Sequence, residues 1–121
     1  MNIEECYEKM GGNYEDVSTR LPNLELIEKF IGKFLDDQSF ETLRQQIKCR
    51  NREEAFRAAH TLKGICANLA FTRLLDSVSH LTEELRQEAD SVSETAINLF
   101  TDVRSDYELT ADAIRRYLEK A

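Results

Sequence analysis

The sequence is poor in residues that interrupt helices and in features that mark several classes of protein. Its 121 residues include one proline, four glycines and no tryptophan. No segment alternates steadily between apolar and polar residues, and no apolar run approaches the ~20 residues that a membrane-spanning helix needs. Strands and membrane spans are therefore disfavoured, and we expect an all-α protein.

The cysteines are few and do not form a metal-binding pattern. Cys6, Cys49 and Cys66 are widely spaced and odd in number, without a Cys-x-x-Cys pair. Neither a disulfide framework nor a zinc site is expected, and Cys66 is interpreted as a small buried hydrophobe. Metal sites in helical bundles use Glu-x-x-His pairs, but an arginine and a serine precede the two histidines at that spacing. No metal site is predicted.

Acidic residues outnumber basic ones, 23 to 16, which gives a formal net charge of −7. This balance argues against nucleic acid or an anionic membrane as the main partner, since binding either requires a broad basic surface. Only a local patch of Arg50, Arg52, Arg57 and Lys63 is basic. Residues 1–5 show neither a basic start nor an apolar run, so we expect a soluble, cytoplasmic chain.

Apolar periodicity predicts one domain, residues 1–121, made almost entirely of helices. The expected helices span residues 3–10, 14–20, 24–50, 52–69, 72–89 and about 92–119. The polar run 36–39 is expected to kink or split the third of them. Short connections imply antiparallel neighbours.

Three residue pairs resemble helix starts. They are Asn13 with Asp16, Asn51 with Glu54, and Ser91 with Glu94. The apolar stripes predict which side chains are buried. In the segment 24–50 these are Leu24, Ile27, Phe30, Ile31, Phe34, Leu35, Leu43 and Ile47. In the last helix they are Ile97, Phe100, Val103, Tyr107, Ala111, Ile114 and Leu118.

One predicted helix carries a histidine opposite its apolar stripe. On a wheel of about 100° per residue, the stripe consists of Ala55, Ala59, Leu62, Cys66 and Leu69. His60 falls on the far side. Arg57 and Lys63 lie at i−3 and i+3, while Gly64 and Ala67 lie at i+4 and i+7. The ring therefore has basic neighbours and little side-chain bulk in the next turns.

These neighbours suit a histidine that accepts a phosphoryl group. A neutral imidazole is a good nitrogen nucleophile near neutral pH. Lys63 would offset the added negative charge and donate hydrogen bonds to phosphoryl oxygens. Glycine in a helix interior costs roughly 1 kcal/mol relative to alanine, so Gly64 is explained by clearance for a partner. That explanation is not unique, because Gly32 also lies in a helical pattern without such a neighbour.

An exposed histidine is more often an inert surface group than a catalytic one, and this interpretation stays open for His60 on its helical position alone. His80 is an example of the inert kind. Its helix is expected to bury leucines and a valine, which leaves His80 outside with Asp76 and Glu84 one turn away on either side. The expected result is a weak surface ion pair.

The residues around His60 resemble a known family. The run 59–64 (AHTLKG), followed by 67–69 (ANL) and a leucine-rich helix, is similar to the histidine-containing phosphotransfer (Hpt) domain of bacterial multistep phosphorelays. The opening 11–14 (GGNY) and the helix 30–35 (FIGKFL) also resemble small Hpt proteins. One departure is Ala70, where the family often has glycine.

The resemblance implies an antiparallel up-and-down four-helix bundle over residues 23–121, preceded by short helices within 1–22. It implies that His60 is the phosphoryl acceptor, Lys63 the phosphate-side cation and Gly64 the clearance residue. The chain would be a monomeric carrier and not an enzyme, and it would bind no cofactor of its own. Its partners would be response-regulator receiver domains, which would hold the Mg²⁺. The expected docking residues are Phe56, Arg57 and Ala67.

Two alternatives remain at the level of sequence. One is a helical adaptor whose histidine is not used, which the combination of His60, Lys63 and Gly64 disfavours. The other is a phosphoacceptor fed directly by a histidine kinase; no glycine-rich phosphate loop is visible here, but a kinase could act in trans. Incubation with receivers charged by acetyl phosphate, and separately with kinases plus ATP, would distinguish these alternatives.

Overall fold

The secondary structure is entirely helical in the part of the chain that the computed structural model describes, residues 1–119, where no strand is present. The helices are α1 (Ile3–Met10), α2 (Tyr14–Arg20), α3 (Leu24–Asp36), α4 (Ser39–Lys48), α5 (Arg52–Asn68), α6 (Thr72–Arg86) and α7 (Glu94–Glu119). The predicted all-α class is confirmed.

Helices α4 to α7 form a four-helix bundle. Helix α5 packs between α4 and α6, and α7 packs against both α6 and α4, so α5 and α7 occupy diagonal corners. The short connections make consecutive helices antiparallel. Helices α1 and α3 also pack against α7, and Phe30 and Lys33 of α3 line a groove with Ile65 near the C-terminal end of α5.

The segment 24–50 is two helices and not one. Helix α3 ends at Asp36, and the extended backbone of Asp37 (φ −69°, ψ 137°) separates it from α4. The Asp37 carboxylate accepts a hydrogen bond of 2.8 Å from the backbone N–H of Ser39, which satisfies a donor at the start of the new helix. The prediction that Leu24 is buried is wrong. This first residue of α3 is 46% exposed, because it lies beyond the turns that reach the core.

Two of the predicted helix starts are confirmed. The Asn13 side chain accepts a 2.9 Å hydrogen bond from the Asp16 N–H, and the Asn51 side chain accepts one of 3.2 Å from the Glu54 N–H. Each satisfies an N–H group that has no partner within its helix. The cap at Asn51 fixes where the histidine-bearing helix α5 begins.

The predicted start at Ser91 is wrong. The last helix begins at Glu94, and it is Ser93 whose hydroxyl accepts the 3.0 Å hydrogen bond from the Ala96 N–H. Helix α6 also ends earlier than expected, at Arg86, because the next residue turns to extended backbone. The connection between α6 and α7 is therefore longer than the sequence pattern indicated.

The apolar stripes predicted for the helices form one continuous core. All five members of the predicted stripe on α5 are buried, which confirms the orientation of that helix: Ala55, Ala59, Leu62, Cys66 and Leu69. Some residues expected in the core are only half-buried at its edge: Phe30, Leu35, Ile97, Tyr107 and Leu118. Within residues 1–119, no helix has the length and apolar character needed to cross a membrane.

Candidate functional site

Helix α5 holds His60 near its middle with the imidazole exposed to solvent. The helix is fixed in rotation by its buried stripe, in which Ala59 and Leu62 are 0% and 1% exposed. Because these residues anchor the opposite face, His60 cannot turn inward without unpacking the core. The exposure expected from the helical wheel is confirmed.

Phe56 lies one turn before His60 and stacks loosely with it. The ring centroids are 6.0 Å apart and the planes are inclined by 22°. Arg86 of α6 places its guanidinium carbon 5.1 Å from the centroid of the same Phe56 ring, within the range of a cation–π contact. Sequence reasoning missed Arg86 because it lies on a different helix. The only signal was its place near the end of α6, which runs antiparallel to α5.

The two cations predicted beside His60 differ in their environments. The Arg57 guanidinium forms ion pairs with two carboxylates, those of Glu53 at 3.1 Å and Glu54 at 3.5 Å. Lys63 is half-buried and forms no ion pair with any residue in the described range 1–119. The ammonium of Lys63 is therefore the one available to a new anion near the ring.

The four basic residues expected to form a local patch do not all lie free beside His60. Arg52 donates hydrogen bonds to the carbonyls of Leu85 (2.7 Å) and Ala89 (3.2 Å) at and beyond the end of α6. Arg50 pairs with Glu94 at 3.3 Å. Carbonyls at a helix C-terminus carry partial negative charge and attract such cations. Two of the four patch residues are therefore engaged away from His60.

Gly64 borders open space. A Cβ atom built at this residue would meet no heavy atom within 4 Å apart from its chain neighbours and the backbone of its own helix, and the backbone φ of Gly64 is not positive. A Cβ at Gly32 of α3 would meet only the Leu118 Cδ1 at 3.9 Å, an ordinary contact. Neither glycine is therefore required by the fold. At Gly64 the open space lies one turn from His60.

The N-terminal helices hold the C-terminal end of α5. The Arg20 guanidinium donates a hydrogen bond to the Ala67 carbonyl, and the buried Tyr7 hydroxyl donates one of 2.9 Å to the Leu69 carbonyl. Burial also raises the pKa of Tyr7, which keeps its hydroxyl protonated as a donor. Helix α5 has no basic residue in its own last turn, so Arg20 supplies the cation that a helix C-terminus favours.

Ala70 ends this region with a φ of 58°, in the left-handed range. This is the residue at which glycine would avoid steric strain. The Ala70 carbonyl accepts a 2.9 Å hydrogen bond from the Asn13 N–H, and Gly12 packs directly against it. These contacts from the N-terminal segment hold the turn in place with alanine there.

His80 does not form the predicted ion pair with Asp76 or Glu84. The Glu84 carboxylate instead accepts a 2.9 Å hydrogen bond from the Ser93 hydroxyl. The imidazole of His80 is exposed in a groove between α6 and α7, away from α5. Within residues 1–119, the groove around His80 is lined by Leu99 and by charged and polar side chains, but not by a lysine, so His80 differs from His60 in lacking a nearby ammonium.

The cysteines do not contribute to a site of their own. Cys6 and Cys66 are buried, with the Cys6 thiol donating a hydrogen bond of 3.5 Å to the Ala113 carbonyl, and Cys49 is exposed. Burial raises the pKa of Cys66, as expected for a core thiol. Among residues 1–119, no group of three or more His, Cys, Asp or Glu side chains is arranged to hold a metal ion.

Comparison with known proteins adds one finding. The family model of the Hpt domain matches residues 25–119, which contain His60, helices α4 to α7 and all of α3 except its first residue. No curated protein and no solved structure matched the chain. The match covers most of the sequence but begins after α2.

Proposed function

The chain belongs to the Hpt domain family, and we propose that it carries a phosphoryl group on His60 to and from receiver-domain aspartates in a two-component phosphorelay. Hpt domains are phosphocarrier modules that act with receiver domains and kinases. The observation that carries the assignment to His60 is its exposure in the middle of a firmly packed helix, one turn from the open space at Gly64.

The proposed reaction is a reversible exchange between an aspartyl phosphate and an imidazole. The unprotonated ring nitrogen of His60 attacks phosphorus in line with the departing carboxylate oxygen. The P–O bond to the aspartate breaks as the N–P bond forms, and the aspartate leaves as a carboxylate. The proton on the other ring nitrogen stays during attack and can pass to water afterwards. The receiver would supply Mg²⁺ and most of the transition-state charge stabilisation.

Lys63 and Gly64 would assist this exchange in different ways. The ammonium of Lys63, which is unpaired within residues 1–119, would donate hydrogen bonds to the phosphoryl oxygens on His60. Gly64 would let the receiver backbone come close enough for in-line attack, since any side chain there would project into the open space. Both residues would act through the same face of α5.

Receivers would dock on the surface that surrounds the ring, formed by Phe56, Arg57 and Ala67. The half-buried Phe56 and Ala67 give apolar contact, and the exposed Arg57, which is paired with Glu53 and Glu54, would lie at the edge of the contact. The contact should be modest in area and transient, because a carrier must release each partner. We expect the protein to work as a cytoplasmic monomer without nucleotide or metal of its own.

The experiment compares the two histidines of the chain. Wild-type protein, His60→Gln and His80→Gln are incubated with receiver domains charged by acetyl phosphate and Mg²⁺, and in a second arm with histidine kinases and ATP. Acid-labile phosphate should appear on the wild type and on His80→Gln but not on His60→Gln. Phosphate on His60→Gln would overturn the assignment. Labelling in the kinase arm alone would replace the receiver-fed role with the kinase-fed one.

A further inference from the structure

The docking face continues past α5 onto α2. Arg20 donates a hydrogen bond from its Nη1 to the Ala67 carbonyl, and its Nη2 lies 3.2 Å from the Asp16 carboxylate. The Arg20 side chain nevertheless remains 45% exposed. A held but accessible guanidinium therefore lies beside Ala67, one of the three residues on which we expect receivers to dock.

Helix geometry places this guanidinium on the same side of the molecule as His60. Seven residues of an α-helix turn through about 700°, so Ala67 points within about 20° of His60, roughly 10.5 Å further along the axis. A protein interface of ordinary size buries about 800 Å² per partner, equivalent to a disc of about 16 Å radius. A receiver centred on His60 thus reaches the Arg20 region at the rim of its footprint.

The positive charge of Arg20 matters at this location. The chain carries a net charge of −7, so the cations near His60 belong to a predominantly acidic protein. A receiver must bring an acidic phosphorylation pocket to this face. Charged groups at an interface rim change association rates and discriminate between partners more than they change intrinsic affinity. Because Arg20 is already held by the Ala67 carbonyl and Asp16, little side-chain entropy is lost when its exposed edge meets a second carboxylate, with which it would be shared as Arg57 is shared between Glu53 and Glu54.

Arg20 also lies outside residues 25–119, the part of the chain that matches the Hpt family. A contact made by Arg20 would therefore come from a segment beyond the shared region. We propose that Arg20 is a specificity-determining residue, whose guanidinium pairs with a carboxylate at the rim of the docked receiver and favours receivers that carry one there. This inference rests on the proposed function of His60.

A purely structural role for Arg20, as a cap on α5, makes a different prediction. Loss of a cap lowers thermal stability and alters transfer in the same proportion at every salt concentration. Loss of a rim charge slows association at low salt and has no effect once salt screens it. Arg20→Lys keeps the charge, and Arg20→Gln keeps a possible donor to Ala67 but loses the charge. These two variants separate the roles.

The matched control is Arg116 of α7. It forms the same kind of exposed i, i+4 pair, with Asp112 at 3.2 Å, on the helix diagonal to α5. Wild type, Arg20→Gln, Arg20→Lys and Arg116→Gln are mixed with the acetyl-phosphate-charged receiver that exchanges fastest with the wild type. Phosphotransfer rates are followed from about 20 mM to about 500 mM NaCl, a range over which rim charges become screened.

We expect Arg20→Gln to transfer about threefold more slowly at low salt, with the difference vanishing at high salt. Arg20→Lys and Arg116→Gln should match the wild type. Equal rates for wild type and Arg20→Gln at low salt, or a loss that is independent of salt and follows melting temperature, would overturn the role of Arg20 and leave that of His60 intact. A wild type that takes up no acid-labile phosphate would overturn both.

Discussion

Phe56 and His60 stack across one turn of α5, with ring centroids 6.0 Å apart and planes inclined by 22°. Phe56 is in turn contacted by Arg86 of α6, so the ring beside the imidazole also contacts a second helix. A neighbouring aromatic ring limits the positions open to an exposed imidazole, and ordering a nucleophile in advance lowers the entropy lost on reaching the in-line geometry. Phe56 therefore lies where it can affect both the positioning of His60 and the docking surface.

Phe56→Ala should slow phosphotransfer more than it destabilises the fold. Removing a half-buried ring should lower the free energy of unfolding by about 1–2 kcal/mol, because only part of its area is withdrawn from water. The imidazole also loses its neighbour, and the docking surface loses apolar area. Transfer rates from a charged receiver, measured beside urea denaturation, test both effects.

Phe30→Ala is the control for this change. Phe30 is also half-buried and also lies near cations, with the ammonium groups of Lys29 and Lys33 6.0 and 5.5 Å from its centroid, but it belongs to α3. It should lose comparable stability and keep its transfer rate. Equal slowing in both variants would mean that Phe56 acts through general stability alone.

Gly64→Ala and Gly32→Ala should both stabilise the protein, each by up to about 1 kcal/mol, since neither added Cβ meets a close contact. Gly64→Glu should nearly abolish transfer, because its side chain fills the open space beside His60 and repels an acidic partner. Gly32→Glu should retain transfer. Thermal unfolding and transfer rates together separate helix propensity from clearance.

A Gly64→Glu protein that exchanges phosphate at the wild-type rate would show that the space beside His60 is not used. In that case Gly64 would have no more functional meaning than Gly32.

Lys63→Ala should slow transfer about tenfold with little change in stability, because Lys63 makes no ion pair within residues 1–119 that the fold would lose. Lys63→Arg should recover part of the rate, since a guanidinium can also meet phosphoryl oxygens. Lys48→Ala, which removes an exposed cation from α4, serves as the comparison. The rate of phosphotransfer from a charged receiver to His60 is measured at constant salt. Equal rates for Lys63→Ala and Lys48→Ala would contradict a specific role for Lys63.

The parts of the site that lie on one helix could be predicted from the sequence. The wheel orients His60, Lys63 and Gly64 outward because burial of the opposite stripe leaves one possible rotation of α5. The cap at Asn51 could also be predicted, since an asparagine followed three residues later by glutamate is a strong local signal of a helix start. Such features depend on contacts within a few residues.

Features that depend on contacts between helices could not be predicted in this way. Arg20 and Arg86 reach the neighbourhood of His60 from α2 and α6, and no sequence period connects them to α5. The sequence places Arg52 in the basic patch, but its guanidinium donates to a carbonyl at the end of α6 instead. At the start of α7, the spacing of Ser91 and Glu94 predicted a cap at Ser91, but the structure uses the hydroxyl of Ser93.

Tyr117 links the end of α7 to α3, and this link should make stability sensitive to alkaline pH. Its hydroxyl donates a 2.7 Å hydrogen bond to the Glu28 carboxylate. Burial, and then the hydrogen bond to Glu28, raise the pKa of Tyr117 to about 12. The folded protein therefore holds this proton more tightly than the unfolded chain, where a tyrosine titrates near pH 10. The stabilisation should be complete below about pH 10 and disappear as the pH rises to about 12.

Tyr117→Phe tests this link. It should lower the free energy of unfolding by about 1 kcal/mol near neutral pH, through loss of the hydrogen bond, and should flatten the decline of stability between about pH 10 and 12. The decline should not vanish, because burial also raises the pKa values of Tyr7 and Tyr107. Tyr14→Phe is the comparison, since it removes the smallest of the influences that raise the pKa of Tyr117 and leaves the hydrogen bond to Glu28 in place. Urea denaturation at a series of pH values measures the slopes, and an unchanged slope in Tyr117→Phe would show that Glu28 does not hold this proton.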